Sequence, residues 1–379
     1  INDTLGHSYG DTVIKKVGQN LRQAVAQYGT VARIGGDEFS VLIPEITDIG
    51  QIRKLAEKVL AAIHKNYVIQ GSLIYISASL GIALYPEHGE TREEIYKNAD
   101  IAMYKAKAGK KNTWALFQYA WEEEAFEKMK LKRGLVTAVK NREFFLAYQP
   151  VVSSRNEEII GFETLIRWEH PQYGVISPAK FIPIAEEMDV INEIGDWILQ
   201  EVCDFVAQLR ACGKNNLVIS MNLSPAQFGN TEFSEKFIDK IAQSDMDDFT
   251  IEFEITENVL IESMEESCLH LEKFRQAGFG VALDDFGTGY SSLTYLRKLP
   301  VTKLKIDKSF IESTMDAEEF HLLKSIVDMA HGLHLIVVAE GVETEKQLDM
   351  VRKAKCDYIQ GYFYSRPLVK EKALAYVRR

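Results

Sequence analysis

Read for its apolar positions, the chain opens with a helical stretch in which Ile14, Val17, Leu21 and Val25 recur at steps of three and four, with Asp11 placed to cap it. Residues 31–34 and 39–43 then read as apolar strands joined by Gly35-Gly36-Asp37-Glu38, whose glycines suit the positive φ of a tight turn. A helix over about 52–65, a hairpin over 68–84 and a helix over about 92–107 complete an α+β unit. The uncharged run 68–85 is long enough to raise the question of a membrane span, but Gly71 and Ser72 interrupt it. Ile74, Ile76, Ala78 and Leu80 then alternate with Tyr75, Ser77 and Ser79 at the period of a strand. Residues 119–133 are charge-rich, with Glu124 and Lys128 spaced i,i+4, and predict an exposed connecting helix punctuated by Trp121, Phe126 and Met129.

From about residue 143 short apolar segments alternate with helical ones, the pattern of parallel strands joined by crossover helices. The predicted strands 162–167, 218–222, 251–255, 281–285, 303–307, 335–340 and 358–360 each carry a polar residue: Glu163, Asn222, Glu254, Asp284, Lys305, Glu340 and Gln360 in turn. From Asn222 onward these residues are 32, 30, 21, 35 and 20 apart, mostly one strand plus one helix. The first interval, 59, leaves room for two helices, at about 178–187 and 192–211. With a further strand at 144–152 the count reaches about eight, which predicts a (β/α)₈ TIM-like barrel whose catalytic groups gather at the carboxyl ends of the strands. The expected division is an α+β domain at 1–118, a linker helix at 119–133 and the barrel domain at 134–379. The start at Ile1, without methionine or a signal-peptide pattern, is expected of a piece of something longer.

Charge changes the picture. The chain has a formal net charge of −11, with 14 basic against 12 acidic residues in 1–118 and 30 against 43 in the remainder. So acidic a barrel cannot hold phosphates by bulk charge and does not suit a nucleic-acid polymer; a phosphate substrate there requires cations. Cys203, Cys212, Cys268 and Cys356 show no C-x-x-C spacing and read as reduced thiols of a cytoplasmic protein with no membrane span in this stretch. His331 and His334 read as packing or surface residues.

On the predicted barrel Glu163, Glu254, Asp284, Asp285 and the amide of Asn222 converge on one face. Two anionic groups about 4 Å apart repel by roughly 1–4 kcal/mol at plausible dielectrics, so four of them call for metal. An all-oxygen set without paired histidine or cysteine favours Mg²⁺ or Mn²⁺. Two such ions balance four carboxylates and serve in-line displacement at phosphorus, which points to hydrolysis of a phosphoric ester. Lys305 is placed to orient or deprotonate the attacking water, and Arg167, on the strand face of Glu163, suits a non-bridging phosphate oxygen. An isolated Asp-Asp pair reads as a turn, but polar residues at six or seven strand ends of one barrel are not explained that way.

These residues lie in GGDEF at 35–39, DDFGTGYSSL at 284–293, YQP at 148–150, EITE at 254–257, LKID at 304–307, AEGVE at 339–343 and QGY at 360–362. Over essentially its whole length the chain resembles the bacterial GGDEF–EAL tandem that makes and degrades cyclic di-GMP. The resemblance implies that Glu163, Asn222, Glu254, Asp284 and Asp285 hold two Mg²⁺ or Mn²⁺ ions, with Glu340 assisting through a bound water. It implies that Lys305 lies against the nucleophilic water, that Gln149, Arg167 and Gln360 contact substrate, and that Glu257 braces the loop after Asp285. The name motif departs, reading Glu163-Thr164-Leu165; strand alternation turns Thr164 away from Glu163, so only a modest packing effect is expected. The implied activity is hydrolysis of cyclic di-GMP to pGpG, in a cytoplasmic homodimer. The alternatives are a receptor that binds without turnover and a longer bifunctional protein that also has cyclase activity. In the first domain Asn2 and Asp11 match guanine-contacting positions, Asp37 a metal ligand, and Lys107 and Lys111 the phosphate-binding basic pair. The family's first-strand metal aspartate falls before Ile1, and the inhibitory R-x-x-D is replaced by Ala26-Gln27-Tyr28-Gly29. This half is therefore expected to bind GTP and modulate the barrel, not to cyclise it.

Overall fold

The computed structural model describes residues 7–378 except 47, 70, 71, 110, 111, 245, 247, 258–263, 288–295 and 314–316. Asn2, Lys111 and residues 288–293 of the DDFGTGYSSL segment lie outside that set. Contacts divide the chain into two units, Ile1–Met129 and Lys130–Arg379.

In the first unit the opening helix runs His7–Val25 and buries Val13, Val17, Leu21, Ala24 and Val25. Asp11 does not cap it: the helix is already formed at His7, so Asp11 sits a turn inside, exposed. Strands β1 (Thr30–Gly35) and β2 (Glu38–Leu42) form the expected hairpin. Gly36, at φ +49°, makes the turn, and its carbonyl accepts from Arg33 Nη2 at 2.8 Å. Helix Ile49–Ile63 is capped by Asp48, which accepts from Gln51 N at 2.9 Å.

The single hairpin expected over 68–84 is two structures. Strands β3 (Asn66–Ile69) and β4 (Ser72–Tyr75) pair antiparallel, but β5 (Leu80–Ile82) leaves them and pairs in parallel with β6 (Trp114–Leu116). Helix Arg92–Ala108 lies directly on β5: a Cβ at Gly81 would come within 2.0 Å of Ala99 O. The alternation continued past the point where the chain changed partners, because Ile74, Ile76, Ala78 and Leu80 all face the core shared with helices His7–Val25 and Ile49–Ile63. Helix Tyr119–Ala138 runs five residues past the expected 133, and Leu131, Leu135 and Ala138 on its last turns are buried. Earlier on it, Glu122 takes the ammonium of Lys97 at 2.5 Å and Glu124 that of Lys105.

In the second unit β7 (Phe144–Ser153), β8 (Ile159–His170), β10 (Val218–Asn222), β11 (Thr250–Thr256), β12 (Gly280–Phe286), β13 (Lys303–Ile306), β14 (Ile336–Ala339) and β15 (Tyr358–Ile359) close an eight-stranded barrel. Two short strands, β9 (Gly174–Ile176) and β16 (Leu368–Val369), extend β8 and β7. Pro178–Glu187 and Ile191–Ala211 are the two helices expected before β10. The outward residues of the strands, among them Ile219, Phe253, Ile255, Leu283, Leu304 and Val337, pack with the helices in one apolar core. The TIM-like architecture is as expected, with one strand reversed. β7 runs antiparallel to both neighbours, β8 and β15. Only residues 154–158 join β7 to β8, whereas a parallel crossover needs about a dozen or more. Among the described residues no helix is long and apolar enough to cross a membrane.

Candidate active site

The inward residues near the carboxyl ends of the parallel strands are polar, and Lys305 on β13 is the point at which they meet. Its side chain is 2% exposed, and its Nζ lies 2.5 Å from Glu254 Oε2 on β11, 2.7 Å from Glu340 Oε1 after β14, 3.2 Å from Asp284 Oδ1 on β12 and 3.5 Å from Glu163 Oε2 on β8. Four carboxylates separated by up to 177 positions thus surround one ammonium. Burial would lower the pKa of Lys305, but the charges of Asp284, Glu163, Glu254 and Glu340 outweigh it and hold the ammonium well above the ordinary lysine range.

The carboxylates are not equivalent. Glu163 is also gripped by amides: Asn222 Nδ2 donates to its Oε1 at 2.8 Å, and Gln360 Nε2 to its Oε2. Burial pushes Glu163 up, but Lys305 and these two amides prevail and keep its pKa below the usual range. Glu254 goes the other way, because burial and the charge of Glu163 win over Lys305 and raise it well above the usual range. Burial, followed by the partly offsetting Lys305 and the charges of Asp284 and Glu163, puts Glu340 at about 8. Asp285 is raised by burial and by Asp284 beside it.

Adjacent residues of a regular strand face opposite ways, so Asp284 and Asp285 would not both reach one site. The strand is not regular there. The β12–β13 register shifts between Leu283 and Phe286, and Asp285 has φ +53°, a left-handed conformation that Asp tolerates better than most residues. Its backbone N–H donates to Asp284 Oδ1 at 2.9 Å. Oxygens of Asp284, Asp285 and Glu340 consequently lie within 4.8 Å of one another, a cluster able to hold a metal ion.

At the edge of the cluster Gln360 Nε2 is 3.4 Å from Gln149 Oε1 on β7, and Gln149 Nε2 donates to Ser365 O at 3.5 Å. Gln360 Oε1 is buried without a hydrogen-bond partner among the described residues. Half-buried Arg167 uses one of its five N–H donors, from Nη1, on Ile166 O at 2.8 Å; burial lowers its pKa, and Glu163 and Tyr362 oppose the shift. Glu257 is buried and accepts from Gly287 N at 3.4 Å, next to the point where the described residues break off. Thr164 is turned away from the cluster, its hydroxyl donating to Ser220 O on the neighbouring strand at 2.8 Å.

Among its described residues the first unit gathers no comparable site. Asp11, Asp37 and Lys107 are exposed, and among the described residues no hydrogen bond or ion pair links them. One buried pair escaped the sequence reading. Lys303 Nζ donates to Glu252 Oε1 at 2.6 Å two residues below Lys305 and Glu254. The signal for it was charge at alternate positions, 252 and 303, in strands that are otherwise apolar.

The family model described as "EAL domain" matches residues 132–367, and that described as "Diguanylate cyclase, GGDEF domain" matches residues 1–113. Two proteins of Pseudomonas aeruginosa are similar along the chain. "Bifunctional diguanylate cyclase/cyclic di-GMP phosphodiesterase MucR" is 39% identical over 100% of this chain and 55% of its own length, and "Cyclic di-GMP phosphodiesterase NbdA" is 34% identical over 97% and 47%. The chain thus spans about half the length of these relatives. Among solved structures, a MucR phosphodiesterase in complex with c-di-GMP superposes with TM-score 0.60 at 36% identity, covering 64% of this chain and 99% of that one. The EAL enzyme Bd1971 in its cAMP- and cyclic-di-GMP-bound form gives 0.61 at 32% identity, covering 67% and 69%.

Proposed function

We propose, for a chain that belongs to the EAL domain family and carries a GGDEF domain in tandem before it, that it is a metal-dependent phosphodiesterase hydrolysing cyclic di-GMP to the linear dinucleotide pGpG. The observation that carries this reading is Lys305 surrounded by carboxylates from four strand ends. With Asp285 the acids number five against one ammonium, a surplus of four negative charges that two divalent cations would balance. The donors are carboxylate and amide oxygens, which fits Mg²⁺ or Mn²⁺ held by Glu163, Asn222, Glu254, Asp284, Asp285 and Glu340. When bound, such ions supply a lowered pKa to water and neutralise charge on the phosphate.

The chain's own groups divide the remaining work. Lys305, whose ammonium is stabilised against proton loss, donates hydrogen bonds to the attacking water and fixes its approach. Arg167 offers a planar fork to a non-bridging oxygen, and Gln149 and Gln360 orient the ligand beside Glu163. Glu257, which accepts from Gly287 N, has the bracing role after Asp285. The domain division 1–118, 119–133 and 134–379 belongs to the same reading, as do a cytoplasmic location and a homodimeric state. The GGDEF half is assigned GTP binding through Asn2, Asp11, Lys107 and Lys111, with Asp37 as a metal ligand, and modulation of the barrel.

Incubation of the chain with cyclic di-GMP and Mg²⁺, followed by chromatography, should give pGpG. Absence of product with both Mg²⁺ and Mn²⁺ would overturn the assignment. A hydrolysis rate unchanged by added GTP would remove the regulatory role while leaving the phosphodiesterase standing.

A further inference from the structure

Two residues below the site, the barrel interior repeats it. Ser220, Glu252, Lys303 and Tyr358 stand on the same four strand runs as Asn222, Glu254, Lys305 and Gln360, each two positions earlier. Glu252 Oε1 accepts from Lys303 Nζ at 2.6 Å and from Ser220 Oγ at 2.9 Å, and the Lys303 ammonium lies 5.7 Å from the centre of the Tyr358 ring. Glu252 and Lys303 are both buried.

We propose that the Glu252–Lys303 pair is a positioning element of the phosphodiesterase site: it ties β11 to β13 through the barrel interior and so fixes the separation at which Glu254 and Lys305 meet. β11 and β13 are not neighbours, since β12 lies between them. The small residues of β12 open the way across. Gly280 is opposite Glu252 in the register, and Ala282 is opposite both Glu254 and Lys303. A Cβ at Gly280 would sit 3.2 Å from the Cβ, Cγ and Oε2 of Glu252, tighter than an ordinary contact. Stability alone gives little reason for the pair, because apolar residues of like volume in such a place are commonly as stabilising or more so. Fixed register between the strand ends above is a reason, since catalysis responds to displacements of an ångström.

The inference rests on the phosphodiesterase reading, and the wild-type chain tests that reading separately through its turnover. The test of the inference compares wild type with Glu252→Gln/Lys303→Met, which removes both charges while preserving volume. Thermal melts, kcat and KM are measured, together with Mn²⁺ binding by the metal-free chain through the electron paramagnetic resonance signal of free Mn²⁺. The double variant should melt within about 3 °C of wild type, because no lone buried charge remains. Its kcat should fall about tenfold with KM within about twofold. Its Mn²⁺ binding should weaken about fivefold, since Glu254 is no longer held in place. Recovery of kcat and Mn²⁺ binding together with the melting temperature would overturn the proposal and leave the pair a packing feature. If the double variant does not fold, Gly280→Ala decides, because its Cβ displaces Glu252 with both charges retained: a lowered kcat supports positioning, an unchanged one refutes it. Should wild type show no turnover, the functional reading fails, and Mn²⁺ binding by the variant still judges whether the pair positions Glu254.

Discussion

The β1–β2 turn and the barrel rim both place acidic residues beside apolar strands, with opposite physical results. Asp37 sits on a two-residue turn whose geometry is supplied locally by Gly36 and the Arg33 hydrogen bond, and it is exposed. Asp284 is 8% exposed and meets Glu163, Glu254 and Glu340 around one ammonium, each delivered by a different strand. A local motif presents a group; only the closed sheet makes groups interact strongly enough to shift one another's protonation.

Mutation of each region should separate them most. Asp284→Asn or Lys305→Met should lower kcat for cyclic di-GMP hydrolysis by about 10³-fold, whereas Asp37→Ala should leave it within about twofold. Steady-state assays of the three variants check this, and comparable losses in all three would erase the contrast.

The next largest effect is on pH. In the metal-free chain Glu340, with a folded-state pKa of about 8 against an ordinary 4.5, binds a proton more tightly folded than unfolded. Its stabilising contribution is complete below about 4.5 and disappears as pH rises through about 8, and the raised Glu254 acts in the same direction. Lys305, raised above its ordinary range, stays protonated throughout that window. Melting of the metal-free chain should therefore fall between pH 6 and 9 at this site. Divalent metal should reverse the fall, and half-saturating metal should need a lower concentration at pH 9 than at pH 7 because binding displaces protons. A melt that rises with pH in the absence of metal would count against the assigned protonation.

Smaller effects sharpen the boundary. Thr164→Ala restores the residue of the name motif and removes one buried hydrogen bond to Ser220 O, so denaturant unfolding should show a loss of about 1 kcal/mol with kcat nearly unchanged. Lys97→Ala breaks the exposed pair with Glu122 and should change stability by no more than about 0.5 kcal/mol in the same measurement.

What could be read from the sequence follows the same divide. β10 was located to the residue, since Val218–Asn222 is a short apolar run ending in a polar side chain, and the site residues stood at intervals that a strand and a helix explain. The reversal of β7 was not expected, although the predicted strands 144–152 and 162–167 leave only residues 153–161 between them, too few for a parallel crossover. The break after Tyr75 was not legible, because alternation records a buried face and not the identity of the partner strand. The joint arrival of Asp284 and Asp285 was expected from the polar strand ends, but the backbone bulge at a non-glycine residue that produces it was not legible. The Glu252–Lys303 pair was visible only as charge in an apolar strand, and its meaning required the register across β12.

The reversed first strand has one more effect. Phe144, where β7 begins, pairs with Trp168 near the end of β8, while Ser153, where β7 finishes, pairs with Tyr358 at the start of β15. The polypeptide therefore enters the barrel on the catalytic side, not on the far side where a uniformly parallel barrel would admit it. Gln149 is the sixth residue inward from that doorway, so the incoming helix joins the cylinder at the end that carries the acidic cluster.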